Sequence, residues 1–321
     1  MKYKKISNSN IEVSQICCGC MSFGKRGTMN NWSLEEEDAS DIIKHCLELG
    51  INFFDTSNNY SLGTSEEILG NAIRKYTSRD KVIIASKVYF NDGHLSSSAI
   101  KREIEGTLTR LQTSYLDIYY IHRFDYFTDP LETLSTLDSL VKEGKVRLLG
   151  ASSMWGYQFL NYLNLAKEYN LTSFSLMQNQ YNLLYREEER EMIPICKENN
   201  VALIPFSPLA MGRLSRSSWS ADTLRFQDDK IAKAKYDTHK DEDIKIVERV
   251  EEIAKKYNVS MSTIALAWLF KKGVTSPIIG ATKLSHYDDA IKALDIDLKD
   301  EEVNYLEELY YPHPVTSVLK N

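Results

Sequence analysis

Nothing in this sequence has the length and apolarity of a membrane span, and Met1-Lys-Tyr-Lys-Lys-Ile6 lacks the apolar core of a secretion signal. The expected location is therefore the cytoplasm, with no membrane partner. Cysteine is scarce, with 5 in 321 residues, at positions 17, 18, 20, 46 and 196. No CxxC spacing and no nearby His pair accompany them, so reduced, buried thiols are expected rather than disulfides or a metal centre. Basic runs are missing too. With 39 Lys and Arg against 45 Asp and Glu, the net charge of −6 argues against nucleic acid and anionic surfaces as partners. Gly-x-Gly-x-x-Gly does not occur, which excludes the Rossmann manner of holding a dinucleotide. Gly150-Ala-Ser-Ser-Met154 is not a Gly-x-Ser-x-Gly turn, and no hydroxyl or thiol is paired with a base for acyl transfer.

What the chain does have is an ordinary globular composition, 43% hydrophobic and 26% charged, sufficient for a sizeable core. Short apolar runs end near Cys18, Phe54, Ala85, Ile121, Gly150, Met177, Pro205 and Gly280. Between them lie helical patterns, such as Ile100, Ile104, Leu108 and Leu111, or Trp155, Phe159, Leu163 and Ala166. Ser33 with Glu36, and Thr64 with Glu67, read as capping boxes. Repeated strand–helix alternation means parallel strands with crossover helices. The fold expected is an α/β (β/α)8 TIM barrel in one domain over 1–321. A β-hairpin precedes it, formed by Lys2 to Ile6, the turn Ser7-Asn-Ser-Asn10, and Ile11 to Ser14. The polar segment Arg213 to Asp241, between the seventh and eighth barrel strands, is expected as a long loop over the top, mobile when empty. Helices are expected at about 242–257, 260–271 and 301–309, the last followed by Tyr310-Tyr-Pro-His-Pro314.

Ile51-Asn-Phe-Phe54 is an apolar strand that ends at Asp55, with Tyr60 five residues on. Lys87 ends the third barrel strand and His122 the fourth, so three successive strands deliver Asp55, Lys87 and His122 to the C-terminal rim, where barrels keep their chemistry. Singly, the Asp would be a turn residue, the Lys a solvated charge and the His a satisfied polar group. Their coincidence on one rim favours a site. One carboxylate and one histidine make a poor metal site, and a tyrosine beside a lysine suggests a general acid or base. A free phenol has a pKa near ~10, so working near pH 7 needs about 3 units, or roughly 4 kcal/mol. An ammonium at ~4 Å supplies about 4 kcal/mol at an effective dielectric of ~20. Lys87 is therefore expected to lower the Tyr60 pKa, Asp55 to hold Lys87 charged, and His122 to hydrogen-bond the reacting oxygen.

Several stretches resemble the aldo-keto reductases: Gly50-Ile-Asn-Phe-Phe-Asp-Thr56 with Tyr60, Gly63-x-Ser-Glu-Glu67, Ser86-Lys87 and Tyr120-Ile-His-Arg123. The resemblance continues through Gly144 to Ser153, Met177 to Leu184 and Phe206 to Arg213. Tyr185 to Ile193, Gly280-Ala-Thr-Lys283 and Tyr311-Pro-His-Pro314 are similar to the bacterial and fungal aryl-alcohol dehydrogenase-like branch. It implies a catalytic tetrad of Asp55, Tyr60, Lys87 and His122. It also implies a nicotinamide whose carboxamide meets Ser152 and Gln178 and whose ring stacks on Phe206. Ser207, Pro208, Leu209, Gly212 and Arg213 would wrap the pyrophosphate, with Gly280, Thr282, Lys283 and His286 at the adenosine end. Outside this family, Phe206 would read as core and Ser207-Pro208 as a plain turn.

At the adenosine end the chain departs from the family. Thr282 stands where many members carry a phosphate-gripping Arg, and Ala290 approximately where many carry an adenine-binding Asn. Lys283, His286 and the absence of acidic residues over 280–286 still favour NADPH, with NADH admitted. The implied activity is reduction of an aldehyde or ketone, with Tyr60 protonating the oxygen. The pocket would be built from Met21, Trp32, Tyr60, Tyr89, Phe90, Phe124 and Tyr126. So many rings suit an aryl or branched aldehyde, and they also stack on sugar aldehydes. The other class weighed is a slow nicotinamide-binding regulatory subunit resembling potassium-channel β subunits. Neither the tail nor 213–241 carries a feature of a docking surface.

Overall fold

The computed structural model describes residues 1–6, 9–316 and 318. Two antiparallel strands come first, β1 (Tyr3–Lys5) and β2 (Glu12–Ser14), with Lys4 opposite Val13. Ser7 and Asn8 of the expected turn lie outside the described residues. Eight parallel strands follow: β3 (Cys17–Gly19), β4 (Phe53–Asp55), β5 (Ile83–Val88), β6 (Leu116–Ile121), β7 (Val146–Ser152), β8 (Phe174–Gln178), β9 (Ala202–Leu203) and β10 (Ile278–Ile279). They pair in the order β10-β3-β4-β5-β6-β7-β8-β9. Regular pairing stops between β9 and β10, where backbone bonds still join the edges, among them Thr275 N to Leu203 O and Ile278 N to Pro205 O, each 2.9 Å. All eight expected strands are present, and this is the TIM-barrel architecture of the sequence reading.

Strand periodicity divides the core into two layers. Cys17, Phe53, Ile83, Ala85, Ile118, Tyr120 and Leu176 fill the barrel. Their neighbours Cys18, Phe54, Ile84, Tyr119 and Met177 face the surrounding helices. Ile6, Ile11 and Val13 of the hairpin are buried with the inner layer and stopper the N-terminal end. Gly150 makes room for the ring of Tyr120, since a Cβ there would lie 2.2 Å from that ring. All five cysteines are free and buried.

Neither expected capping box forms. The helix Glu36–Glu48 starts after Glu35 with no side-chain cap, and the Ser33 hydroxyl is buried without a partner. Before the helix Thr64–Tyr76, Ser61, Leu62 and Gly63 all have positive φ. That left-handed approach turns the Thr64 hydroxyl back onto Ser61 O at 2.8 Å instead of onto the helix. The helices Ser97–Leu111, Lys240–Tyr257, Met261–Lys271 and Asp300–Glu307 agree with expectation.

The segment 213–241 is more ordered than its composition implied. It contains the short helices Leu224–Asp228 and Lys230–Tyr236. Arg213 and Trp219 Nε1 both bond Asp237 Oδ1, at 2.7 and 3.0 Å. Arg213, Trp219 and Tyr236 are buried. Composition could not reveal this, because two rings and one ion pair from distant positions make a small core of their own.

The tail after the last helix is pinned by His313. Its Nδ1 faces Tyr311 O at 2.7 Å and its Nε2 faces Asp243 Oδ2 at 3.1 Å. The Tyr311 carbonyl is an acceptor, so Nδ1 carries hydrogen, while Nε2 shares a proton with the Asp243 carboxyl. Burial alone would lower its pKa, but Asp243 and the Tyr311 carbonyl outweigh burial and raise it. A raised pKa stabilises the fold fully below the unfolded value of about 6.5, and the contribution is lost as pH rises through the folded value. Wild-type stability to urea is therefore expected to decline as pH rises from about 6.5, and His313→Gln to flatten that decline. An unchanged slope in the variant would show that this pair does not set it.

Candidate active site

Asp55 is the last residue of β4, Lys87 the last but one of β5, and His122 follows the end of β6. Tyr60 opens the turn Tyr60–Gly63. Asp55 and Lys87 are 2% and 0% exposed. The Lys87 ammonium donates to Asp55 Oδ1 at 2.5 Å, Thr56 O at 2.6 Å and Tyr60 Oη at 3.2 Å. An ammonium has three hydrogens, and all three are used. Tyr60 Oη is therefore an acceptor toward Lys87, and its own hydrogen is left to point elsewhere. The second oxygen of Asp55 accepts from Gln178 Nε2 at 2.9 Å.

The electrostatics differ in one respect from the sequence reading. Lys87 is held charged: burial opposes the charge, but Asp55 and Tyr60 more than offset it. The Tyr60 pKa, however, is raised rather than lowered. Burial is the largest cause and Asp55 adds to it, and together they exceed the pull of Lys87. The expected ~4 kcal/mol from one lysine left out the cost of burying a phenolate and the carboxylate behind the lysine. In this state Tyr60 is a phenol, suited to giving a proton.

His122 meets Tyr60 edge to face at 5.8 Å between ring centroids and Phe90 at 5.0 Å. Burial, with Lys87 and Arg123 adding to it, pushes its pKa well below the usual imidazole value, so the ring is neutral. The Ser57 hydroxyl lies 3.2 Å from His122 Nδ1 and 2.6 Å from the Asn59 side chain.

The other expected pocket residues divide. Tyr89 packs on Phe90 and His94, so it borders the site. Tyr126 reaches the tail through its hydroxyl, 3.5 Å from Val318 O. Phe124 leans on Tyr126 and Tyr162. Met21 and Trp32 are half-buried on the loop after β3, which touches segment 213–241 through Asn31 and Asp228 at 3.3 Å.

Among the expected cofactor residues, Ser152 and Gln178 are buried at the ends of β7 and β8, and Phe206 is half-buried beyond β9. Ser207, Ala210, Met211 and Gly212 all have positive φ, so the chain around Pro208 and Leu209 coils tightly. A run of left-handed non-glycine residues is strained, and such strain concentrates where a ligand is held. Arg213 is tied to Asp237, yet its Nε is buried with no acceptor. Gly280, Lys283 and His286 are exposed and Thr282 half-buried, with His286 in the first turn of the helix Leu284–Lys292. Burial, Lys283 and Arg216 lower the His286 pKa. These residues fit an anionic dinucleotide.

Two functional candidates were missed by the sequence reading. Arg216 is half-buried, with no acceptor among the described residues and with Arg213 and Arg225 pressing on it. Lys235 donates to Gln180 Oε1 at 2.7 Å and lies 5.4 Å from the Phe206 ring. In Lys230-Ile-Ala-Lys-Ala-Lys-Tyr236 nothing separates it from a solvated helix lysine.

A family model described as the aldo/keto reductase family matches residues 15–311. The chain belongs to this family. An aldo-keto reductase of Fusarium vanettenii is 43% identical, over 98% of this chain and 92% of that protein. A Schizosaccharomyces pombe protein with aryl-alcohol dehydrogenase in its name is 40% identical, over 98% and 97%. A thermostable aldo-keto reductase, solved with the inhibitor epalrestat, superposes with a TM-score of 0.78 at 27% identity, over 96% of this chain and 100% of that one. Aldo-keto reductases are nicotinamide-dependent oxidoreductases acting on carbonyl and alcohol groups, and so is this chain. No helix among the described residues is long and apolar enough to cross a membrane.

Proposed function

We propose that this aldo-keto reductase, acting as one catalytic domain, reduces aldehydes or ketones with NADPH and uses Tyr60 as the proton donor. The observation that carries the reading is the use of all three Lys87 hydrogens, which leaves the Tyr60 hydroxyl hydrogen for a substrate oxygen. Ser152, Gln178, Phe206 and the coil from Ser207 through Pro208 and Leu209 to Gly212 would hold the cofactor. When bound, the reduced nicotinamide supplies a hydride to the carbonyl carbon. Tyr60 then delivers its proton to the carbonyl oxygen, and Lys87 donates to the phenolate that remains. The Ser57 hydroxyl donates to Asn59 Oδ1 at 2.6 Å and lies 3.2 Å from Nδ1 of the neutral His122 ring. That ring, edge to face with Tyr60, would border the same oxygen. A panel of aldehydes and ketones, with NADPH oxidation followed at fixed pH, tests the activity. Cofactor binding without turnover across the panel would count against it.

The preference for NADPH rests on cations. A 2′-phosphate brings close to two negative charges. Lys283 and Arg216 would bring charge to it and His286 a neutral donor, with no carboxylate over 280–286. Lys283→Ala is expected to weaken NADPH binding by about tenfold or more, on a charge-assisted bond of ~1.5–3 kcal/mol, and to leave NADH nearly unaffected. Equal losses in a fluorescence titration would mean that Lys283 does not read the phosphate.

Segment 213–241 is expected to tighten over bound cofactor, as it adjoins the Ser207–Leu214 coil and touches the loop after β3. NADPH should then slow limited proteolysis within the segment several-fold. Equal cleavage rates with and without NADPH would reduce it to a surface insertion.

A further inference from the structure

Three glutamates stand in a row on the turn Glu187–Glu189, and the outer two are paired with cations. Glu187 takes Arg190 and Glu189 takes Arg186, each at 2.7 Å. Glu188 differs. It is 8% exposed, and no cation among the described residues pairs with it. It borders a cavity walled mainly by Met177, Met192, Ile193, Leu203 and Pro205. Burial is the largest influence on its carboxyl and raises the pKa to about 7; Glu187 adds to the rise, and a bond from Asn179 opposes it. A buried carboxyl with so little to hold it is costly, so the one bond it makes is informative.

That bond comes from Asn179 Nδ2, which donates to Glu188 Oε2 at 2.6 Å. Asn179 follows Gln178 at the end of β8 and is 5% exposed. Its Oδ1 accepts from the backbone N–H of Ser153 at 2.8 Å. A backbone nitrogen only donates, so this contact fixes which side-chain atom is oxygen and turns Nδ2 to Glu188. Ser153 has a φ of 51°, a left-handed conformation that a residue other than glycine keeps only under constraint. Its hydroxyl lies 3.2 Å from that of Ser152. The Asn179 carbonyl, in turn, accepts from Phe206 N at 3.0 Å. Ser152, Gln178 and Phe206, the residues expected around the nicotinamide, thus all lie beside or one residue from a contact of this asparagine.

We propose that Glu188, acting through Asn179, is a positioning residue for the nicotinamide end of the cofactor. This rests on the reading of Ser152, Gln178 and Phe206 as nicotinamide contacts. The carboxyl holds the Asn179 amide, the amide holds the Ser153 backbone, and the turn at Ser153 sets the Ser152 hydroxyl. The adenosine end, at Gly280 to His286, shares none of these bonds.

Two ligands separate the ends: NADPH, and 2′-phospho-ADP-ribose, which is the same molecule without the nicotinamide. With the full chain, Glu188→Leu is expected to weaken NADPH about tenfold and 2′-phospho-ADP-ribose by no more than about twofold, read by fluorescence titration. Glu188→Asp keeps the charge but withdraws it from Asn179, and should shift the two ligands in the same unequal way. Glu188→Gln keeps an oxygen for the amide and should recover most of the loss. Asn179→Ala should reproduce the loss, and adding Glu188→Leu to it should cost little more, because residues acting in series are not additive. Equal weakening of both ligands, no weakening of NADPH, or a full further loss in the double variant would overturn the proposal. If no aldehyde is turned over yet NADPH binding depends on Glu188 in this way, the positioning role stands and the reductase reading falls. If aldehydes are reduced and the two ligands respond alike, the reductase reading stands and Glu188 belongs to the packing alone.

Discussion

Tyr60→Phe is expected to lower kcat for carbonyl reduction by about 10²–10⁴-fold, the usual contribution of general acid catalysis. The substitution removes one oxygen from a ring that is 8% exposed and keeps the packing against His122. Lys87 loses one acceptor but keeps Asp55 and Thr56 O. Affinity for NADPH should thus stay within a few-fold, as read by quenching of tryptophan fluorescence. A variant that keeps more than about a tenth of kcat would show that another group supplies the proton. Because burial raises the Tyr60 pKa, reduction should run at full rate over the neutral range and fall only as alkaline pH removes the phenol proton.

Lys87→Met should be at least as damaging, for two separable reasons. Chemically, the phenolate left after proton transfer loses its only cationic neighbour among the described residues that bond to it. The rate is expected to fall by ~10²-fold or more, with the alkaline rise of the reverse, alcohol-oxidising reaction displaced to higher pH. A rate near that of the wild type at pH 7 would remove Lys87 from the mechanism. Structurally, Asp55 would be left as a buried carboxylate with only Gln178, among the described residues, to bond its side chain. Breaking such a pair costs about 3–5 kcal/mol. Adding Asp55→Asn should recover most of that stability without recovering activity, which urea unfolding beside kinetics would resolve. Recovery of both together would make the lysine a structural group only.

The barrel and its rim were legible in the sequence because strand spacing is a local signal, and the strand ends place Asp55, Lys87 and His122 side by side. The family resemblance added Ser152, Gln178 and Phe206, which local pattern alone reads as core or turn. Other features needed contacts that no local pattern carries. The Tyr60 pKa depends on how burial compares with Lys87 and Asp55, and a sequence gives distance along the chain, not depth. Arg216 and Lys235 sit in a segment read as polar loop, and only its folding over Arg213, Trp219 and Tyr236 leaves them half-buried. The Thr64–Glu67 capping box failed for the opposite reason: the local pattern was present, and the left-handed turn at Ser61 to Gly63 overrode it.

The saturation of Lys87 has a protective side. An amine with a free lone pair, set beside a tyrosine that handles aldehydes, would condense with the aldehyde to an imine and stop the enzyme. Lys87 has no such lone pair: its pKa is raised and each of its hydrogens is donated. Nitrogen in that state cannot attack carbon. The contacts that ready the lysine to steady a phenolate also keep it from reacting with the compounds passing through the site.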